Sequence, residues 1–113
     1  MTKKTNQINI IEKYIHFIVN SNLSGNKLLK KEYPGVIEHD EKDLEIAKEI
    51  YRDLKSKCIE YQNGSVDSKM LSDFCANIMY SKYSPKIVSK IVSDEIFDAL
   101  DYISELDFNK ESD

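Results

Sequence analysis

Residues 41–61 read EKDLEIAKEIYRDLKSKCIEY. Leu44, Ala47, Ile50, Tyr51, Leu54, Cys58 and Tyr61 return at intervals of three and four, the spacing that keeps side chains on one face of an α-helix. Glu45, Lys48, Glu49, Arg52, Asp53, Lys55 and Glu60 fill the opposite arc. Asp40 can cap this helix by accepting a backbone N–H, and Glu41 and Asp43 suit its positively polarised first turn. Opposite charges three or four apart on the outer arc each contribute only about 0.2–0.5 kcal/mol. They read as helix support, not as paired catalytic carboxylates.

The same period recurs on both sides. Ile8, Ile11, Ile15 and Ile18 mark a first helix over 7–20, and Tyr14, Phe17 and Val19 broaden its apolar side. A short helix from Ser24 would bury Leu28 and Leu29, and Pro34-Gly35 punctuates the link to Asp40. Gln62-Asn63-Gly64-Ser65 is a turn. Its flanks have helical rather than alternating patterns, which argues against a hairpin. A further helix starts at Asp67 or Ser68, with Met70, Leu71, Phe74, Cys75, Ile78 and Met79 on its apolar side. Ser84 followed by Pro85 fits a new helix start. From there Ile87, Val88, Ile91, Val92, Ile96, Ala99, Leu100, Ile103 and Leu106 form a long band, with a break near Ser93-Asp94 left open. The expected fold is all-α: a compact bundle of four major helices with an additional short one. Residues 7–107 form its single domain, 1–6 a flexible polar tail and 108–113 an acidic tail. At 113 residues with 41% apolar content, the chain is long enough for one core.

Charge is unevenly placed. Eight acidic residues and one lysine lie between Asp94 and Asp113, a net −7 in a chain whose total is −4, leaving +3 for residues 1–93. At about 100° per residue, Asp94, Asp98, Asp101 and Glu105 fall within roughly 60° of one another on one helical face. Val92, Ile96, Ala99, Leu100 and Ile103 fall on the other side. Glu95 and Tyr102 flank the acidic stripe. Like charges at this spacing slightly destabilise a helix. A solvated polar face is the mundane account. The functional account is a docking face for a basic protein, whose encounter the charge would steer. Asp94, Asp98, Asp101 and Glu105 are then the contact residues, with Tyr102 adding apolar area beside them. Direct nucleic-acid binding at such a face is disfavoured.

Signals for chemistry are sparse. The sequence carries no GxGxxG, no phosphate-binding loop and no HExxH. Cys58 and Cys75 lack metal-ligand spacing and read as small buried thiols. His16 lies at the edge of the first helix's apolar sector. His39, in Glu38-His39-Asp40-Glu41, has local carboxylates but no triad pattern. The Lys27-Leu28-Leu29-Lys30-Lys31 run reads as ordinary packing with solvated cations. The stripe carboxylates lack the turn-forming glycine of a calcium loop. No cofactor or metal is expected, nor a membrane span or standard signal segment, and a cytoplasmic, non-catalytic protein is the expectation.

IEKYIHFIVNSNLSGNKLL, residues 11–29, is similar to the opening helix–turn–helix of colicin D-type immunity proteins. VSDEIFDALDYISEL, residues 92–106, supplies the acidic helix that a small bacterial immunity protein would need. The resemblance implies a helical bundle that neutralises a nuclease toxin stoichiometrically by covering its basic catalytic surface. Two other classes stand beside it: a regulatory or scaffold protein using the same acidic face, and a small enzyme with a pocket assembled from distant residues.

Overall fold

Asp40 caps the central helix as its position suggests: Asp43 N–H donates to the Asp40 carboxylate at 2.8 Å. In a computed structural model, which describes residues 3–31 and 39–106, this helix runs from Glu41 to Gln62. It is the second of five α-helices among the described residues. The others are α1 (Lys3–Asn20), α3 (Ser68–Ala76), α4 (Pro85–Ile91) and α5 (Asp94–Ser104). A 3₁₀ turn covers Gly25–Leu28, and α3 continues into a π-helical segment, Asn77–Lys82. The fold is all-α.

Three helix starts, those of α2, α3 and α4, have a local cause. Asp67 accepts from Met70 N–H at 2.8 Å to open α3. Ser84 accepts from Ile87 N–H at 3.2 Å to open α4, with Pro85 in the first turn. Such caps satisfy amides that have no partner inside the helix. Helix α1 begins at Lys3, ahead of the expected start at residue 7, so part of the expected tail is helical. Once the isoleucine face is packed, a polar stretch without Gly or Pro can propagate the helix outward at little cost. The expected acidic tail over 108–113 lies outside the described residues, as does Pro34-Gly35.

The core gathers one face from each element. Ile11, Ile15 and Ile18 of α1 meet Ala47, Ile50, Leu54 and Cys58 of α2, Leu71 and Cys75 of α3, and Ile96, Leu100 and Ile103 of α5. Leu28 and Leu29 are buried, as their spacing suggests. Three positions expected on apolar faces are exposed instead: Phe17 at 40%, Met70 at 53% and Ile87 at 46%. Met70 and Ile87 occupy the first turn of a short helix, where the chain is still arriving from a surface loop.

The band from Ile87 to Leu106 is two helices. At Val92 the backbone is extended (φ −89°, ψ 156°), and Ser93 is extended too before α5 begins. The helical bonds lost there are replaced across space. Lys30 N–H donates to Ile91 C=O and Ser93 N–H to Leu28 C=O, each at 2.9 Å, around an isolated antiparallel bridge between Leu29 and Val92. This backbone clasp fixes where α5 starts. Helix α5 then packs chiefly on α3 and α1.

Candidate functional site: the acidic face of α5 and its groove with α1

Asp94–Ser104 carries four carboxylates and no basic side chain. Its inner face, Ile96, Ala99, Leu100 and Ile103, is fully buried. That burial turns Asp94, Glu95 and Asp98 into solvent and leaves Asp101 half-buried. Glu105 follows as an exposed C-terminal cap, its N–H bonded to Asp101 C=O at 3.2 Å. The acidic stripe therefore survives the division of the apolar band, because every stripe position lies in α5 or at its C-terminal end.

Two of these carboxylates have a local explanation. Asp94 and Glu95 sit in the first turn, where the helix dipole favours negative charge. Asp101 and Glu105 stand at the opposite end, where the same dipole disfavours it. Local helix energetics therefore do not account for the C-terminal half of the stripe.

The expected contact residues are not equivalent. Asp94 is paired with Lys30, which reaches it from the clasp. Lys27 and Lys31 line the adjoining hollow with Leu29, Ser93 and Glu95. The N-terminal end of α5 is thus a mixed-charge corner. Asp98, Asp101 and Glu105 form no ion pair among the described residues. The net negative face lies toward the C-terminal end of the helix.

Tyr102 links this face to α1. Its ring stacks on Tyr14, with centroids 5.4 Å apart and planes 30° apart. Offset stacking of this kind stabilises by about 0.5–1.5 kcal/mol beyond area burial. Beside the pair, α1 and α5 enclose an open groove of about 410 Å³, lined by Ile10, Lys13, Tyr14, Phe17, Glu95 and Asp98. Ile10 is 37% exposed and Phe17 40% exposed, although both stand on the most apolar helix sector of the chain's first third. Ile10, Tyr14 and Phe17 form a stripe of their own, one position out of phase with buried Ile11, Ile15 and Ile18. The apolar arc of α1 is wider than its seat in the core. Tyr14 and Phe17 are both expected on the apolar side; Tyr14 does pack, partly buried, against the core, whereas Phe17 is exposed. The signal for the exposed stripe is this offset: two parallel stripes are more than one packed face can cover.

The orientation of α1 is held from its far end. Tyr51 O–H donates to Ser21 C=O at 2.9 Å and accepts from Leu23 N–H at 3.2 Å. Lys55 Nζ adds a 2.7 Å bond to Ser21 C=O. Lys55 on the outer arc of α2 therefore serves a neighbouring segment rather than a same-helix carboxylate. Glu49 does likewise, accepting from Lys82 at 2.7 Å and from the Tyr83 hydroxyl at 3.4 Å.

The remaining chemistry-bearing side chains are dispersed. His16 is exposed, with the Asn20 amide against its ring at 3.1 Å, and is not a core residue. The His39 ring bridges the Lys30 carbonyl and the Asp43 carboxylate, each at 3.1 Å, and so pins the chain entering α2. Cys58 and Cys75 are free, buried thiols. Burial pushes the Cys58 thiol up to about 12, and burial together with neighbouring Cys58 raises Cys75 further. Among the described residues, no group of three His, Cys, Asp or Glu side chains is placed to hold a metal ion. Among the described residues, no helix is long and apolar enough to cross a membrane either. No family model, curated protein or solved structure matches this chain.

Proposed function

We propose that this chain is an immunity-like protein that binds a basic toxin or nuclease and inhibits it by occluding the substrate-binding surface. The supporting observation is the acidic run Asp98, Asp101 and Glu105, without an ion pair among the described residues, whose last two members stand against the dipole at the C-terminal end of a well-packed helix. A nuclease must hold phosphates and therefore presents Lys and Arg around its active site. A rigid carboxylate face competes for those cations and accelerates encounter by steering. Asp98, Asp101 and Glu105 form the contact face in this reading, Tyr102 braces it from Tyr14, and Asp94 contributes through its ion pair with Lys30.

The test is capture of a partner followed by titration of its activity. A basic nuclease should lose activity linearly, reaching full inhibition near one equivalent. The variant Asp98→Asn, Asp101→Asn, Glu105→Gln should fold normally, associate at least tenfold more slowly at low salt and show a flatter salt dependence. Recovery of a partner without toxic activity would instead place the protein among regulators or scaffolds. Unchanged association rate and salt response in the triple variant would remove the acidic face from the interface.

A further inference from the structure

We infer that the groove between α1 and α5 is the seat for an amphipathic cationic helix of the partner, which inserts large apolar side chains against Ile10, Tyr14 and Phe17 while its Lys or Arg residues meet Glu95 and Asp98. This inference rests on the acidic-face reading above and specifies what that face recognises.

The geometry carries it in three steps. First, the floor is apolar and accessible: Ile10, Tyr14 and Phe17 repeat at four and three along α1, and Ile10 and Phe17 remain more than a third exposed. That spacing is how a helix presents anchors to another helix. Second, one wall of the groove is acidic. Glu95 and Asp98 rise from α5, and Lys13 is the one cation among the lining residues; Glu95 also borders the Lys27 and Lys31 hollow, so Asp98 is the wall's main negative charge. An apolar floor with a carboxylate wall is complementary to a segment that carries apolar and cationic residues on adjacent sides. Third, the groove is braced. The Tyr14–Tyr102 stack and the Tyr51 and Lys55 bonds to Ser21 hold both helices in place. A pre-ordered groove loses little entropy when it is filled.

The same charges disfavour other occupants. A second copy would bring its own acidic helix against Glu95 and Asp98, and like charges placed together oppose association. An anionic membrane surface meets the same repulsion. In the inferred complex, charge sets the approach and the apolar anchors set the lifetime.

Three synthetic helical peptides of equal length test this on the full chain. One carries a Leu/Phe stripe flanked by Lys and Arg. The second keeps the cations and replaces the stripe with Gln and Ser. The third keeps the stripe and replaces the cations with Gln. Affinity is measured by titration calorimetry and location by amide chemical-shift changes. The first peptide should bind at least tenfold more tightly than the second, with the largest shifts at Ile10, Tyr14, Phe17 and Asp98. The third should bind at least tenfold more weakly than the first. Phe17→Ser and Ile10→Ser, each checked for native helicity, should erase the advantage of the first peptide over the second while leaving the salt dependence intact. Equal binding of the first two peptides would overturn the groove assignment and leave the acidic-face reading standing. Equal binding of the first and third would overturn the cationic requirement. Failure of both cationic peptides to bind would overturn the groove and the acidic face together. Concentration-dependent dimerisation abolished by Phe17→Ser would assign the groove to a second copy and overturn the inference.

Discussion

Cys58 and Cys75 sit at the junction of α2 and α3 with no exposed surface. A thiol reacts as its thiolate, and burial penalises that charged form. With the Cys58 thiol pushed up to about 12 and that of Cys75 higher still, neither should react with Ellman's reagent in the native protein at pH 8, and both should react in urea. Prompt labelling before unfolding would show that the α2–α3 junction opens locally. Glu49 has the opposite character. The hydrogen bond and charge of Lys82 hold its carboxyl below the ordinary value of 4.5. A depressed folded-state value means that the pair's stabilisation is fully present above 4.5 and is lost as pH falls through the lowered value. Glu49→Gln should therefore unfold at lower urea than the parent at pH 7, and the two midpoints should converge in acid. A gap that persists undiminished at pH 2 would mean that Glu49 contributes by packing rather than by charge. Both groups stand on stripes visible in the sequence, but the identity of Lys82 as partner was not visible. The pairing spans 33 positions, and no local period encodes that distance.

At the scale of elements, turn chemistry was the most legible signal. Asp40, Asp67 and Ser84 each cap the helix that follows, because a short side-chain acceptor beside the first turn has few other uses. Gly64 closes α2 in a left-handed conformation, φ +81°, with open space around the position of a Cβ. The cost of a side chain there is conformational and not steric crowding by neighbours. Gly64→Ala should destabilise by about 1–2 kcal/mol in urea unfolding, and Gly64→Asn by less, since asparagine tolerates this region better. Equal losses would point to some other role for the glycine. The division of the last apolar band at Val92-Ser93 was harder to read. The β-branched pair Ile91-Val92 before Ser93-Asp94 permits a break, yet what fixes it is the backbone of Leu28 and Lys30. The exposed stripe of α1 was hidden for a related reason. Ile10 and Phe17 have the residue types of core positions, and the placement of α2 and α5 decides how much of the α1 arc is covered.

At the scale of the whole molecule, the acidic face and the apolar stripe come from opposite ends of the chain and meet through the clasp. Lys30 and Asp94, the ion pair beside it, are 64 positions apart. Closing a loop of that length costs roughly 4 kcal/mol in chain entropy. The clasp's two backbone hydrogen bonds contribute about 1 kcal/mol each, and the ion pair, on a largely exposed carboxylate, contributes at most about 1 kcal/mol. Those contacts do not close the loop by themselves. The remainder comes from the apolar face of α5 settling on α3 and α1. The clasp is therefore a latch: it sets the register of α5 without supplying the energy that docks it. The alignment of the acidic surface depends on that hydrophobic docking: with α5 undocked, the chain would carry the same charges without the geometry that sets them in one face.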